Sequence, residues 1–204
     1  MIIPAAGKSS RFNTGKPKWM RTHPNGELMI EHSIKSFLKS DEIKVNVFLI
    51  TLKEIDDDFN VALTLNSSSI SFKEIIFLEK TTSSPVETLY KGIKKSKHIN
   101  LDLPSLFKDS DNFVEIEIGK DIFTKNFTVG CDLNIFNVSN IKNKSFLIYN
   151  DLNKVTDFIE KSVVSDTISV GTHFIINTIE FIYNIEKMLK LNIDEELYLS
   201  HVIA

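Results

Sequence analysis

A chain of 204 residues, 42% hydrophobic and 25% charged, falls in the ordinary globular range and is long enough for one compact core. Its net charge of −3 gives no overall attraction to nucleic acid or to an anionic membrane, so any anion site must be a local basic cluster. A single cysteine, Cys131, excludes an internal disulfide and a cysteine-built metal site, and suits a reducing cytoplasm.

The chain opens directly on Met1-Ile2-Ile3-Pro4, with no basic segment and no long apolar segment of the kind a secretory leader carries. No apolar run approaches the roughly 20 residues of a membrane span, so the chain reads as soluble and cytoplasmic. After the short apolar start comes Pro4-Ala5-Ala6-Gly7-Lys8-Ser9-Ser10-Arg11-Phe12, then Lys16-Pro17-Lys18. Next, Ile30, Ile34, Phe37 and Leu38 recur at helical spacing, predicting a helix from about Leu28 to Lys39. Val45–Ile50 and Ile75–Leu78 are short β-type runs, separated by a Ser-rich loop over Asn66–Ser71. Ser84-Pro85 reads as an N-cap and first-turn pair for a helix carrying Val86, Leu89, Tyr90 and Ile93.

Leu103–Phe107 is a further strand candidate, followed by the polar run Asp109–Asn112, which reads as a loop. Phe127–Val129, Phe146–Tyr149 and Ile168–Ile176 continue the β pattern, and Ile179, Ile182, Ile185 and Leu189 mark a last helix. No internal repeat or linker interrupts this order, and residues 1–204 read as a single domain. Strands alternating with helices predict an α/β fold with a largely parallel sheet, in which ligands bind beyond the carboxyl ends of the strands.

Three segments carry candidate chemistry. In the N-terminal loop, small residues let backbone N–H groups approach a ligand, a geometry suited to phosphate oxygens. Arg11 adds a planar fork for phosphate, and Lys8 and Lys18 add compact positive charge. Taken alone, such a loop reads equally well as a turn whose basic residues face water. It is neither a Walker A loop nor a Gly-x-Gly-x-x-Gly turn. Asp109-Ser110-Asp111-Asn112 sits just past a strand end, where carboxylates can hold Mg²⁺ over bound phosphates, although alone it reads as an Asx turn. Glu160-Lys161, followed by Ile168–Ile175 with Val170-Gly171, reads alone as a solvated turn.

Together, Pro4-Ala5-Ala6-Gly7-Lys8-Ser9-Ser10-Arg11 with Pro17-Lys18 resembles the opening of the sugar-phosphate nucleotidyltransferase superfamily, and the two later motifs follow in that family's order. The resemblance implies a Rossmann-like three-layer αβα fold with a mixed, mostly parallel sheet. It also implies a Mg²⁺-dependent enzyme that joins an NTP to a phosphorylated small molecule and releases pyrophosphate, with no nucleic-acid or membrane partner. By the same resemblance, Ala5, Ala6, Gly7, Lys8, Ser9, Ser10 and Arg11 wrap the nucleotide. Arg11, Lys18 and Lys161 are the catalytic candidates. Asp111, supported by Asp109, is the metal carboxylate. Glu160, Lys161 and Gly171 line the acceptor site, with Lys161 on the acceptor phosphate.

Lys16-Pro17-Lys18-Trp19, Thr22–Gly26 and Leu28-Met29-Ile30 look most like a bacterial capsule-associated branch, with a sugar 1-phosphate as the expected acceptor. The short Arg11-to-Lys18 spacing looks closer to cytidylyltransferases and favours CTP. Many relatives carry another metal-binding Asp late in the chain. None matches here, and Tyr198–Ala204 ends in an apolar helix-like run, so the natural protein is expected to continue. A GT-A glycosyltransferase is the rival enzyme, because Asp109-x-Asp111 is also a DxD pattern, but such an enzyme needs no basic triphosphate loop. A non-catalytic nucleotide-binding regulatory domain is the rival of another class.

Among lesser candidates, His23, His32, His98, His173 and His201 lack metal-ligand spacing and are expected at the surface or behind the site. Cys131 is expected to be a buried small apolar residue. Trp19 is expected to pack the phosphate loop, and Glu87-Thr88, at a helix start, to touch base or ribose.

Overall fold

In β2, Val47–Leu52, six consecutive residues are all buried, as expected for a strand covered on both faces. In the computed structural model, which describes residues 1–7, 15–39, 43–116, 124–135, 138, 140–191 and 196–203, this strand lies between two parallel neighbours. On one side β1 (Ile2–Pro4) pairs Ile3 with Leu49, and on the other β3 (Phe72–Leu78) pairs Ile75 with Leu49. β4 (Ser105–Lys108) lies parallel to the far edge of β1, with Ile2 opposite Phe107.

The sheet continues with β8 (Thr167–Ile175), which runs antiparallel to β4. Phe174 of β8 faces Leu106 of β4 on one edge and Phe127 of β5 (Phe127–Asp132) on the other. Further along β8, Ile168 pairs with Phe146 of β6 (Ser145–Tyr149), and β7 (Val155–Glu160) forms a hairpin with β6. The order is β3-β2-β1-β4-β8-β6-β7, with β5 paired to β8 off this path. Strands β1 to β6 point one way and β7 and β8 the other, so the sheet is mixed and mostly parallel.

The two-residue period of the strands sorts side chains into two cores. Ile2, Phe48, Ile50 and Ile76 meet α4 (Pro85–Lys95), α5 (Thr178–Lys190) and α6 (Leu199–Ile203) through Leu89, Ile93, Phe181, Ile185 and Val202. Ile3 and Leu49 face the opposite side, against α1 (Met29–Ile34), α3 (Val61–Asn66) and the 3₁₀ turn Lys18–Met20. The result is the three-layer arrangement that the family resemblance implied.

Local signals account for most of the boundaries. Ser84 caps α4 by accepting from Glu87 N, Pro85 follows it, and Lys94 and Lys95 occupy the last turn near the negative end of the helix dipole. The helix expected over Leu28–Lys39 divides into α1 and a 3₁₀ turn over Lys35–Leu38. Ser33 Oγ bonds Ile30 O, and Ser36 Oγ bonds Val114 O at 2.5 Å. The Ser33 bond is local and competes with the helical ladder, whereas the Ser36 bond is a tertiary contact that ties the 3₁₀ turn to residue 114.

α5 forms where expected, but its core face carries Thr178, Phe181, Ile182 and Ile185, while Ile179 is half exposed at 52%. The buried stripe therefore begins one position earlier than Ile179, at Thr178, since positions 178, 181, 182 and 185 share one helical face. α2 (Lys53–Phe59), α3 and β7 were not legible as elements. α2 buries no residue and β7 buries only Phe158, so neither carries a strong period. Among the described residues no helix is long and apolar enough to cross a membrane.

Candidate active site

β1 and β4 are neighbours, so the loop leaving β1 and the turn leaving β4 emerge together at the carboxyl edge of the sheet. Ala5 and Ala6 continue β1 as buried residues, with Ala5 N donating to Ile50 O at 2.7 Å. Gly7 is exposed, and a Cβ there would meet open space. Lys8, Ser9, Ser10 and Arg11 lie outside the described residues. The chain returns through Gly15, at φ +67°, into the Lys18–Met20 turn, where Trp19 and Met20 are buried. Trp19 is a core residue in the cluster that holds Ile3, Ala5, Ile30 and Leu49.

Lys18, anchored by its buried neighbours, reaches 2.9 Å from Asp111 Oδ2, an ion pair across 93 residues of sequence. Asp111 belongs to the turn Asp109–Asn112, and that turn is held from below by a residue that sequence reasoning missed. Lys108, the last residue of β4, is fully buried and donates from Nζ to Asp109 O at 2.9 Å and to Asn112 O at 2.6 Å. Burial pushes the Lys108 ammonium down to about 8, against the nearby carboxylates of Asp109 and Asp111. Asp109 keeps some exposed surface, yet desolvation around its carboxyl pushes it up to about 6. The Lys108 charge opposes that rise, and the Asp111 charge adds to it. Only burial of an ammonium signals Lys108, and a Lys after Leu106-Phe107 gives no hint of it in sequence.

The turn is also pinned sideways to β8. Asp109 N donates to Gly171 O at 2.8 Å, and Asn112 Nδ2 donates to Asp109 Oδ2 and Val170 O, each at 3.2 Å. Gly171 has φ +63°, and a Cβ there would stand 1.9 Å from Asp109 Oδ2. The close approach at this glycine is made by the chain's own aspartate. Beside it, His173 is buried, shares a 3.0 Å hydrogen bond with Thr128 Oγ1, and has its imidazole pushed down to about 4 by burial and by the Lys108 charge. His173 is thus not a surface residue, because β8 is flanked by strands on both edges there.

Glu160 and Lys161 lie at the end of β7. Lys161 has a left-handed backbone, φ 56°, and its N–H donates to Lys144 O at 2.9 Å. The Lys144 charge in turn acts on Asp109, so Lys144 links this segment electrostatically to the turn. The Lys161 ammonium lies 3.8 Å from the Glu196 carboxylate and 4.9 Å from the Tyr198 ring centroid. Its pKa is raised, first by the Tyr198 hydroxyl. Ser200 Oγ donates to Glu160. Residues 196 to 200 therefore lie against the expected acceptor motif, which their sequence gave no reason to expect.

The remaining candidates have partners within the chain. The Glu87 carboxyl is desolvated, which would raise its pKa. Contacts from Lys91 at 2.6 Å and from Ser83 outweigh that and hold it at about 2. His23, His32 and Phe113 stack, with successive centroids 4.0 and 4.3 Å apart, just past the Asp109–Asn112 turn. Cys131 is only partly buried, contrary to expectation, because β5 pairs along a single edge.

Among the described residues no group of three His, Cys, Asp or Glu side chains is placed to hold a metal ion. Asp109 and Asp111 nonetheless match the needs of Mg²⁺, which takes one or two protein carboxylates and completes its octahedron with water and substrate phosphate. Asp111 already holds a cation, the Lys18 ammonium.

By sequence, no described family pattern and no curated protein matches the chain. By structure, it is similar to a nucleoside-diphosphate-sugar pyrophosphorylase from Vibrio cholerae RC9, with TM-score 0.80 and 21% identity over 99% of this chain and 85% of that one. It is also similar to a Bacillus anthracis protein assigned as a glucose-1-phosphate thymidylyltransferase, with TM-score 0.69 and 16% identity over 98% and 79% of the two chains. An inositol-1-phosphate CTP transferase from T. maritima superposes with TM-score 0.65 and 13% identity over 99% and 78%. Likeness at this level of identity establishes the fold: the chain has the Rossmann-like α/β architecture on which these nucleotidyltransferases are built.

Proposed function

We propose that the protein is a Mg²⁺-dependent nucleotidyltransferase that joins an NTP to a phosphorylated small molecule and releases pyrophosphate. The observation that carries this reading is the 2.9 Å contact between Lys18 and Asp111. It brings the Pro-Lys end of the basic N-terminal loop onto the carboxylate turn at the carboxyl edge of the sheet, where such folds bind ligands. The likeness to an inositol-1-phosphate CTP transferase and a nucleoside-diphosphate-sugar pyrophosphorylase supports the same class of reaction.

In this reading Ala5, Ala6, Gly7, Lys8, Ser9, Ser10 and Arg11 wrap the triphosphate, and Glu87 stands by for base or ribose. A phosphate oxygen of the acceptor attacks the α-phosphorus, and the bond from that phosphorus to the oxygen bridging to the β-phosphate breaks. A phosphate monoester is largely ionised near neutral pH, so the protein's task is positioning and charge neutralisation. Arg11 and Lys18 neutralise charge at the reacting phosphorus and on the departing pyrophosphate. Lys161 holds the acceptor phosphate in line, Glu160 a hydroxyl or amine of the acceptor, and Gly171 lines that site. Asp111, with Asp109 beside it, would hold Mg²⁺, which supplies further positive charge at the phosphates.

CTP is the favoured nucleotide, on the short Arg11-to-Lys18 spacing. A sugar 1-phosphate or another capsule-precursor phosphate is the favoured acceptor. The test is pyrophosphate release by the purified protein with each of CTP, UTP, dTTP, GTP and ATP against a panel of sugar 1-phosphates and non-sugar phosphomonoesters. Release that requires both substrates and Mg²⁺ is expected. No release with any pair, alongside glycosyl transfer from a nucleotide-sugar or tight NTP binding alone, overturns the assignment.

A further inference from the structure

A lysine without exposed surface is uncommon, because removing an ammonium from water is costly unless its donors are satisfied. Lys108 is such a lysine, and both of its hydrogen bonds among the described residues go to one short turn. Its acceptors are the carbonyls of Asp109 and Asn112, the two ends of the four-residue segment that carries both carboxylates. A leucine at the end of β4 would satisfy the core equally well, so packing alone gives no reason for a buried charge here. The same turn is tied to β8 by Asp109 N on Gly171 O and by Asn112 Nδ2 on Val170 O. On its outer side it meets Lys18, whose side chain is 30% exposed. The inner cation is thus enclosed, while the outer one keeps exposed surface.

We infer that Lys108 is a positioning residue: a built-in cation that closes the Asp109–Asn112 turn and fixes the spacing at which Asp109 and Asp111 meet a divalent metal and its nucleotide. This rests on the proposed nucleotidyltransferase reading. Two carbonyls held at 2.9 and 2.6 Å on one ammonium leave the turn little freedom to open. Its two carboxylates are then preorganised before any metal arrives, which lowers the ordering cost of binding. Without the ammonium, the two carbonyls lose their donor in a buried place, and the turn must rearrange to find others.

The test is the affinity of the full chain for Mn²⁺, read by electron paramagnetic resonance with CTP present, in wild type, Lys108→Met and Lys108→Gln. Circular dichroism establishes which variants are folded. Lys108→Met is expected to weaken Mn²⁺ binding about tenfold or more. The thermal shift from CTP in EDTA should stay unchanged, since that contact belongs to the N-terminal loop. With Mg²⁺, kcat should fall more than the nucleotide KM rises. Lys108→Gln keeps a donor without a buried charge and should show the same loss in smaller measure, and it decides the matter if Lys108→Met fails to fold. A folded variant that binds Mn²⁺ within twofold of wild type overturns the inference and leaves the proposed function standing. A wild-type protein that binds no Mn²⁺ with any NTP overturns both.

Discussion

Asp109 Oδ2 occupies the space where a side chain at Gly171 would begin, 1.9 Å from the position of a Cβ. The second and third sequence motifs are therefore one structural unit, with β8 giving up a side chain so that the β4 turn can lie against it. Gly171→Ala should cost roughly 2–4 kcal/mol, combining left-handed backbone strain with displacement of the carboxylate. Urea unfolding measures it. A loss under about 0.5 kcal/mol would mean that the turn moves aside freely and that the unit is not rigid.

The Lys18–Asp111 pair predicts a separation of stability from activity. Both side chains are about one-third exposed, at 30% and 31%, so losing the pair should cost less than about 1 kcal/mol. On the proposed reading, turnover in Lys18→Ala or Asp111→Ala should fall about 100-fold or more, because Lys18 would neutralise charge at the reacting phosphates and Asp111 would hold the Mg²⁺ that does the same. Near-wild-type rates in either variant would end the assignment of this edge as the active site.

His173 supplies a pH prediction with a definite sign. Its folded pKa, about 4, lies below the ordinary 6.5, so the unfolded chain takes up a proton that the folded chain refuses. The stability of the neutral, buried imidazole is fully present above pH 6.5 and is lost as pH falls towards 4, on the order of 3 kcal/mol in all. Asp109, raised to about 6, works in the opposite direction over part of this range. The readout is therefore the difference between wild type and His173→Asn across pH 7.5 to 4.5. The wild type should lose stability faster on acidification, and parallel curves would show that His173 is not responsible.

Gly92 tests packing against propensity. It lies inside α4, where alanine is intrinsically better by about 1 kcal/mol. A Cβ there would meet Ile50 Cδ1, Cγ1 and Cγ2 at 2.4, 2.6 and 2.7 Å. Ile50 has no exposed surface and is gripped between α4 and the sheet, so overpacking should win. Gly92→Ala is expected to destabilise by about 1–3 kcal/mol in thermal or urea unfolding, and a gain in stability would show that α4 can shift away from β2.

Much of the fold was legible because its signals are local. The mostly apolar, β-branched run at Val45–Ile50 marked a strand, and Ser84-Pro85 marked the start of α4 through cap chemistry that a dipeptide reveals. Elements with little buried surface, such as α2 and β7, were not legible, because burial is what writes a period into sequence. The contents of the Asp109–Asn112 turn were readable as carboxylates past a strand end. Its foundations were not: Lys108 looks like a surface residue in sequence, and its burial follows only from the depth of β4 within the sheet.

By family resemblance alone the three motifs were given phosphate, metal and acceptor roles; the amino-acid sequence by itself determined the α/β class and the order of the principal strands and helices. These follow from periodicity, caps and charge, which act over a few residues. Only the tertiary structure decided which motifs touch. Lys18 reaches Asp111, and Gly171 yields to Asp109, because β1, β4 and β8 are neighbours in the sheet though far apart in the chain. The placement of residues 196 to 200 against Glu160 and Lys161 arose in the same way. Contacts across such separations are set by strand order and core packing, and no local pattern of side chains encodes them.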